Sequence, residues 1–278
     1  TWFDKIQYAA PRTASIGTRV RMQNLGLSVV ALGQGIPFFH AGSDMLRSKS
    51  MDRDSYNSGD WFNKLDFSYQ SNNYGVGLPV AGVNQDNWPI MQPLLADPGL
   101  NPAPEDIGFS AALYQELLQI RYGSELFRLE TAEDVQGRVA FHNTGLDQLP
   151  GLIVMTVSDL VEPDLDRAHE LFVVLVNAND EPQTITVPDL AGKELALHLV
   201  QVSIAIAADT RRFELDPAGI HAGRAREYAP GFDKVTIGNR AAGHLAEIGA
   251  REDTYRYAVQ AEAVIRSAAA GHTGNGTL

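Results

Sequence analysis

The chain has 278 residues, enough for one large domain or two ordinary ones, and 44% of them are hydrophobic. Its 22 basic and 34 acidic side chains leave a net charge of −12, which disfavours nucleic acid and anionic membranes as partners. It has no cysteine, which excludes disulfides and a cysteine nucleophile but leaves the compartment, secreted or cytoplasmic, undetermined. No apolar run approaches the roughly 20 residues that a membrane-spanning helix needs.

Residues 1–123 have the pattern of one end of an α/β unit. Apolar side chains recur at three- to five-residue steps over residues 13–32, which predicts a helix with Thr13 as its cap and a stop at Gly33. The apolar run IPFF at 36–39 is typical of a short strand that is buried on both faces of a parallel sheet.

A long segment rich in Asn, Asp, Gly and Pro follows at residues 40–107. A loop of such length is unusual and tends to be functional. Asp106 is then the predicted N-cap of a second helix, whose apolar face consists of Phe109, Leu113, Leu117 and Ile120.

After residue 123 the pattern changes to short β-rich runs separated by turn residues. This favours an antiparallel β-sandwich over residues 124–235, with a domain boundary near residue 124. The Ala- and Arg-rich segment 236–278 is expected to be a diverged or disordered tail. The predicted strands are VAFHN (139–143), LIVMTVSD (152–159), LFVVLVNAND (171–180), TITVP (184–188) and LALHLVQVS (195–203).

One stretch of the long loop begins like a calcium-binding loop, with acids at Asp52 and Asp54. Asn57 stands where such a loop requires its sharp-turn glycine, and Asn63 stands where it requires a bidentate glutamate. The sequence therefore argues against a calcium loop of this type. It also lacks a G-x-S-x-G elbow and a Gly-rich phosphate loop with Lys, so neither serine nucleophile nor phosphoryl chemistry is indicated.

The aromatic side chains of the long loop alternate with acids and amides. Sugars stack on flat apolar faces and bind carboxylates and amides through their hydroxyls, so this composition is typical of a sugar site. For Trp61 and Phe62 we favour a structural interpretation, in which both anchor the loop. For Arg53, two alternatives stay open: a ligand contact, or an ion pair with a neighbouring acid. The aromatic residues are Tyr56, Trp61, Phe62, Tyr69, Tyr74 and Trp88.

The loop GIPFFHAGSDMLRSKSMDRDSYNSGDWFNKLDFSYQSNNYGVGLP resembles the last strand and following loop of type I pullulanases and limit dextrinases. NQDNWPIM at 84–91 and the runs at 152–184 are similar to the same family, and the match extends to about residue 203. The resemblance implies the C-terminal end of a (β/α)8 barrel of the α-amylase superfamily, followed by a β-sandwich. It also implies retaining hydrolysis of α-1,6-glucosidic linkages in pullulan, amylopectin or limit dextrins.

The family's three catalytic carboxylates lie on earlier barrel strands, the last of them in a motif just upstream of the segment that TWFD matches. We therefore expect no catalytic residue in this chain, and no hydrolytic activity from the chain alone. The implied partners are an α-glucan and the remainder of the barrel. No cofactor is implied, although the resemblance is compatible with calcium in the full-length enzyme.

By the same resemblance, the first candidates for sugar contacts are Arg53 and Asp54, followed by Tyr56 and Asn57. Asp86 and Asn87 are candidates on the branch or leaving-group side. An alternative is a non-catalytic carbohydrate-binding or structural module that acts through its β-sandwich.

Overall fold

The computed structural model describes residues 1–180, 182–191, 193, 195–203, 213–215, 234–237 and 263–265. Most of the helical residues precede the antiparallel strands, which agrees with the predicted order of elements. The helices are α1 Trp2–Ala9, α2 Ile16–Leu32, α3 Asp60–Asn63, α4 Ala81–Asn84, α5 Trp88–Leu95, α6 Pro104–Gly123, α7 Ala132–Arg138 and α8 Leu199–Ser203.

The described strands form two antiparallel sheets. The first sheet has the order β1-β2-β3-β8-β5 and the second has the order β4-β7-β6. In the first sheet β2 pairs with β3 from Leu152 opposite Asn177 to Ser158 opposite Leu171. The strands are β1 Val139–Phe141, β2 Leu152–Ser158, β3 Leu171–Asn177, β4 Gln183–Thr186, β5 Leu195–Leu197, β6 Phe213–Leu215, β7 Lys234–Ile237 and β8 Ala263–Ile265.

Helix α2 begins three residues later than the sequence predicts. Its cap is Ser15, whose Oγ accepts a hydrogen bond from the Thr18 amide at 3.2 Å, so Thr13 is not the cap. Gly33 ends the helix as predicted. The buried Arg19 fastens α2 to α1, because its guanidinium donates to the Ile6 carbonyl at 3.2 Å.

The predicted strand at 36–39 is wrong, because the segment has no regular secondary structure. Ile36 and Phe38 are 97% and 91% exposed, and no described strand pairs with them. Phe39 packs edge-on against Tyr114, with ring centroids 5.1 Å apart. A doubly buried strand needs parallel neighbours on both sides, and no such neighbour occurs among the described residues.

The segment 40–107 is ordered rather than structureless, since it contains α3, α4 and α5. Its side chains form a hydrophobic cluster with α1, α2 and α6, in which Phe3, Met51 and Met91 are buried. Helix α6 begins at Pro104, two residues before the predicted cap. Asp106 lies within the first turn, where its carboxylate accepts the Ala103 amide at 3.0 Å.

Strands β2 and β3 lie between two hydrophobic clusters, because their side chains alternate between the two faces of the sheet. Met155, Val157 and Phe172 lie on the face that packs against helices α2 and α6. On the opposite face, Val154 and Val173 pack with residues of the segment from β4 to β5. Every residue of β3 is therefore buried.

The C-terminal part of the prediction needs one correction. The run 195–203 was expected as a single strand, but only Leu195–Leu197 is a strand, and Leu199–Ser203 is helical. The predicted tail at 236–278 lies outside the described residues, except that residues 236 and 237 end β7 and Ala263–Ile265 forms β8. Among the described helices, none is long and apolar enough to cross a membrane.

Candidate functional site

The first half of the long loop is fastened to the N-terminal helix by one buried carboxylate. Asp4 on α1 accepts hydrogen bonds from the Ser48 hydroxyl at 2.5 Å and from the Lys49 amide at 2.9 Å. The Thr1 hydroxyl donates to the same carboxylate at 2.7 Å. The backbone that leads into the candidate residues therefore has a fixed position relative to α1.

The backbone of this segment adopts an uncommon conformation. Leu46, Ser50 and Met51 have φ values of 57°, 49° and 64°, in the left-handed region that residues other than glycine rarely occupy. Each such residue costs on the order of 1–3 kcal/mol and persists only where the surrounding structure holds it. Here the buried side chains of Leu46 and Met51 supply that restraint, since both belong to the cluster under the loop.

Two buried polar side chains join the segments that carry the candidate residues. The Asn84 side chain donates to Asp52 Oδ1 at 2.9 Å and to the Val80 carbonyl at 3.0 Å. Asn84 Oδ1 accepts the Arg53 amide at 3.0 Å, and Asp52 Oδ1 accepts the Asp54 amide at 3.1 Å.

The other carboxylate oxygen of Asp52 accepts a hydrogen bond from the Ser58 hydroxyl. A second set of hydrogen bonds closes the loop around the Ser55 side chain, which accepts from Lys49 Nζ at 2.7 Å and donates to Asn63 Oδ1 at 3.0 Å. Because Asn63 also donates to the Ser55 and Gly59 carbonyls, the turn between residues 55 and 63 is tied from both sides.

The predicted site residues of this turn, Arg53, Asp54, Tyr56 and Asn57, are all exposed. Tyr56 is 91% exposed, so almost its whole ring faces solvent. Asp54 makes no described salt bridge, and its carboxylate accepts only the long 3.4 Å bond from the Tyr56 amide. Arg53 lies near Tyr8: burial raises the pKa of the Tyr8 hydroxyl, and the positive charge of Arg53 partly offsets that rise.

Asp86 and Asn87 lie in a 3-10 turn, Gln85–Asn87, directly after Asn84. Asp86 is exposed and Asn87 is half-buried. The structure links this turn to the first group of candidates through Asn84, so the two groups predicted separately from sequence belong to one hydrogen-bonded assembly. The sequence did not single out the connecting residues Asn84 and Ser58, and it considered Asp52 only as a calcium ligand, because a long-range hydrogen bond leaves no local signal.

Trp61 and Phe62 were both expected to anchor the loop, and the structure confirms this for one of them. Phe62 is 7% exposed and anchors the loop as expected, whereas Trp61 is 65% exposed and does not. The Trp61 indole is held at one point, where its Nε1 donates to the Val76 carbonyl at 3.3 Å. Its ring borders a shallow depression of about 390 Å³ whose other lining residues are Asp60, Asn63 and Lys64.

At the start of the loop, Arg47 forms hydrogen bonds that hold the backbone in place, and His40 lies beside it. The Arg47 guanidinium donates to the Ala41 carbonyl at 3.0 Å and to the Asn63 carbonyl at 2.9 Å, and it lies 3.2 Å from His40 Nε2. Burial, and then the charge of Arg47, lower the pKa of His40, so the imidazole is neutral at neutral pH. Arg47 therefore braces both ends of the turn.

No group of three or more His, Asp or Glu side chains is placed to hold a metal ion within the described part of the chain. Both carboxylate oxygens of Asp52 accept hydrogen bonds from the protein, Oδ1 from Asn84 and the Asp54 amide and Oδ2 from Ser58. The six candidate residues, five of them exposed and Asn87 half-buried, combine one guanidinium, two carboxylates, two amides and a phenol ring. Such a set suits a neutral polyhydroxylated ligand, because hydroxyl groups both donate and accept hydrogen bonds.

An exposed polar loop with solvent-facing aromatic rings is typical of the carbohydrate-binding class of proteins. Residues 69–216 match the family model described as "Alpha-1,6-glucosidases, pullulanase-type, C-terminal". The chain therefore belongs to the pullulanase-type α-1,6-glucosidase family.

The chain is similar to curated pullulanases of both plants and bacteria. It is 49% identical over 210 residues to pullulanase 1, chloroplastic, of Arabidopsis thaliana, a match that covers 74% of this chain and 22% of the relative. It is 42% identical over 204 residues to the pullulanase of Klebsiella pneumoniae, which covers 72% of this chain and 18% of that protein. The chain thus spans about a fifth of the length of these relatives.

Solved structures of bacterial pullulanases have a similar fold. The apo pullulanase of Klebsiella pneumoniae superimposes with a TM-score of 0.74 at 35% identity, covering 95% of this chain and 25% of that one. The same enzyme complexed with maltotriose also gives a TM-score of 0.74 at 35% identity, covering 95% of this chain and 22% of the other.

Proposed function

We propose that this chain is the C-terminal portion of a debranching glycoside hydrolase that cleaves α-1,6-glucosidic linkages in pullulan, amylopectin or limit dextrins by a retaining mechanism. Its contribution is the sugar-binding loop. The observation that carries the proposal is the exposure of Arg53, Asp54, Tyr56 and Asn57 on a turn whose backbone is fixed by buried hydrogen bonds.

The chemistry of these side chains matches an α-glucan. The Asp54 carboxylate and the Arg53 guanidinium form charge-assisted hydrogen bonds with sugar hydroxyls, which are about twice as strong as bonds between neutral groups. The exposed Tyr56 ring offers a flat apolar face for a pyranose. Asp86 and Asn87 would extend the contacts toward the branch or leaving-group side.

The proposed architecture places residues 1–123 at the C-terminal end of a (β/α)8 barrel, with the loop 40–107 at the face where such barrels build their sites. Residues 124–235 would form the β-sandwich domain that follows. The exposed apolar segment 36–39 supports this arrangement, because Ile36 and Phe38 require neighbouring strands to cover them. Those strands would come from the remainder of the barrel, which is the proposed protein partner.

A retaining glycosidase needs two carboxyl groups about 5–5.5 Å apart, one as nucleophile and one as acid/base. We assign neither role to this chain. Asp52 is unsuited to both, since it is buried and its two oxygens accept hydrogen bonds from the protein. Residues of the barrel outside this chain would supply the catalytic pair.

The test compares maltotriose binding by the purified chain and by its Asp54→Ala variant, with affinity measured by NMR or calorimetry. Loss of a charge-assisted hydrogen bond costs roughly 1.5–3 kcal/mol, so Asp54→Ala should bind about ten- to a hundredfold more weakly. Asp66→Ala is the matched control, because its carboxylate accepts hydrogen bonds only from Ser68 and Ser71. Equal affinity of Asp54→Ala and the unaltered chain would remove Asp54 from the site.

A further inference from the structure

The hydrogen bond between Asp52 and Asn84 joins two segments that are 32 residues apart in the chain. Each partner lies beside candidate sugar-binding residues: Asp52 directly precedes Arg53, and Asn84 precedes the turn that carries Asp86 and Asn87. Both side chains are buried, with 6% and 0% of their surfaces exposed. Neither can therefore contact a ligand itself in this conformation.

The pair nevertheless controls the backbone of the exposed residues. The Arg53 amide donates to Asn84, whereas the Asp54 amide donates to Asp52, so each partner holds a different residue of the turn. The two segments are therefore coupled, since the position of the Arg53 backbone depends on the Asn84 side chain of the other segment. A change in either partner thus affects both groups of candidates.

We propose that Asp52 and Asn84 are positioning residues that pre-organise the two segments as one sugar-binding surface. The inference rests on the proposed function, because it assumes that the exposed residues bind an α-glucan. A loop that is already ordered loses less conformational entropy on binding, and so retains more of its contact energy as affinity. Restraint is needed here because Ser50 and Met51, just before the pair, hold left-handed backbone conformations.

The chemistry of the pair predicts which substitutions preserve it. Asp52→Asn keeps the oxygen that accepts from Asn84 and from the Asp54 amide, and its new amide group can donate to Ser58, whose hydroxyl accepts as well as donates. Asp52→Ala removes all three bonds. Asn84→Asp keeps the side-chain volume but sets two carboxylates against each other, which is repulsive when both are ionised.

The experiment measures maltotriose affinity of the 278-residue chain and its variants, together with amide hydrogen exchange without ligand. Asp52→Ala, Asn84→Ala and Asn84→Asp should each bind about tenfold more weakly or worse, whereas Asp52→Asn should retain most of the affinity. Asp66→Ala is the control. It also removes a carboxylate that accepts hydrogen bonds within the loop, but its partners Ser68 and Ser71 lie within residues 66–71.

Hydrogen exchange supplies a measurement that is independent of sugar binding. Asn84→Ala should accelerate exchange at the Arg53 amide, and Asp52→Ala should accelerate exchange across the junction at residues 85–87. Neither effect is expected in Asp66→Ala. If the alanine variants do not fold, Asp52→Asn and Asn84→Asp still decide the question, because the proposal requires the first to resemble the unaltered chain and the second to differ from it.

Affinity that is unchanged in Asp52→Ala and Asn84→Asp would overturn the inference, as would a loss in Asp52→Asn equal to that in Asp52→Ala. If the unaltered chain binds no maltotriose, the proposed sugar-binding role of this chain fails instead. Hydrogen exchange then tests the coupling between the two segments by itself. If residues 85–87 exchange no faster in Asp52→Ala than in Asp66→Ala, the inference is overturned.

Discussion

Asp52 and Asp54 are separated by one residue, yet their environments are opposite. Asp52 is buried and its carboxylate accepts hydrogen bonds from Asn84, Ser58 and a backbone amide, whereas Asp54 is exposed and its carboxylate accepts one long bond. The same side chain therefore organises the loop at one position and is available to a ligand at the other. Burial, rather than residue type, separates the two roles.

A third aspartate of the loop, Asp66, has a carboxyl group whose pKa is lowered by hydrogen bonds. Hydrogen bonds from the Ser68 hydroxyl and amide, and then from the Ser71 hydroxyl, lower the pKa of Asp66 to about 2. Because the folded-state pKa lies below the ordinary value, the ionised carboxylate stabilises the fold above about pH 4, and this contribution is lost as the pH falls through 2.

Ser68→Ala should therefore raise the pKa of Asp66 part of the way to its ordinary value, as followed by NMR titration of the carboxyl carbon. Ser71→Ala is the matched control and should raise the pKa less, since the Ser68 hydroxyl contributes more to the lowered pKa than the Ser71 hydroxyl and the Ser68 amide still donates in both variants. A larger shift in the control than in Ser68→Ala would contradict the assignment of causes.

The adjacent aromatic residues Trp61 and Phe62 should differ in their effect on stability. Phe62→Ala removes a side chain that is 7% exposed and should lower the free energy of unfolding by about 3 kcal/mol or more. Trp61→Ala removes one that is 65% exposed and should cost about 1 kcal/mol or less. Urea denaturation of the two variants makes the comparison, and equal losses would show that exposure does not govern their roles.

At the scale of elements, helices α2 and α6 share a core with the strands that follow them. Leu25 and Leu117 pack in one cluster with Met155, Phe172 and Val174. The predicted boundary near residue 124 therefore does not separate two independent hydrophobic cores, and residues 1–123 would lose one wall of this cluster if isolated.

The fragment 1–123 is accordingly expected to lack a stable fold of its own. Removal of β2 and β3 would expose the apolar faces of α2 and α6, and Ile36 and Phe38 are already exposed in the whole chain. Thermal denaturation followed by circular dichroism tests this, with the 278-residue chain as the control. A cooperative transition in the fragment would be evidence against the prediction.

For the molecule as a whole, we predict no measurable hydrolysis of pullulan by this chain. Binding a sugar does not stabilise an oxocarbenium-like transition state, which needs a proton donor at the glycosidic oxygen and a carboxylate at the anomeric carbon. Release of reducing sugar by the purified chain is the measurement, with Asp54→Ala as a parallel sample. Activity in the first that disappears in the second would mean that Asp54 is catalytic.

Much of the local structure was determined by the sequence itself. Short β-rich runs bounded by turn residues predicted the strands at 152–159 and 171–180, and their bounds agree to within about three residues. The periodic residues Leu117 and Ile120 of α6 are buried as predicted. The strands follow from the composition of a short segment and the helix face from its 3.6-residue repeat, and both are local properties that a single sequence reveals.

Only the tertiary structure decided how the candidate residues are arranged. Ile36 and Phe38 are exposed because no described strand pairs with them, and Ser15 caps α2 although Thr13 is also a residue type that caps helices. Asn84 looks like any loop asparagine in sequence, yet it is buried against Asp52, which lies 32 residues earlier. Such long-range hydrogen bonds decide which polar side chains support the loop and which face solvent, and sequence periodicity carries no information about them.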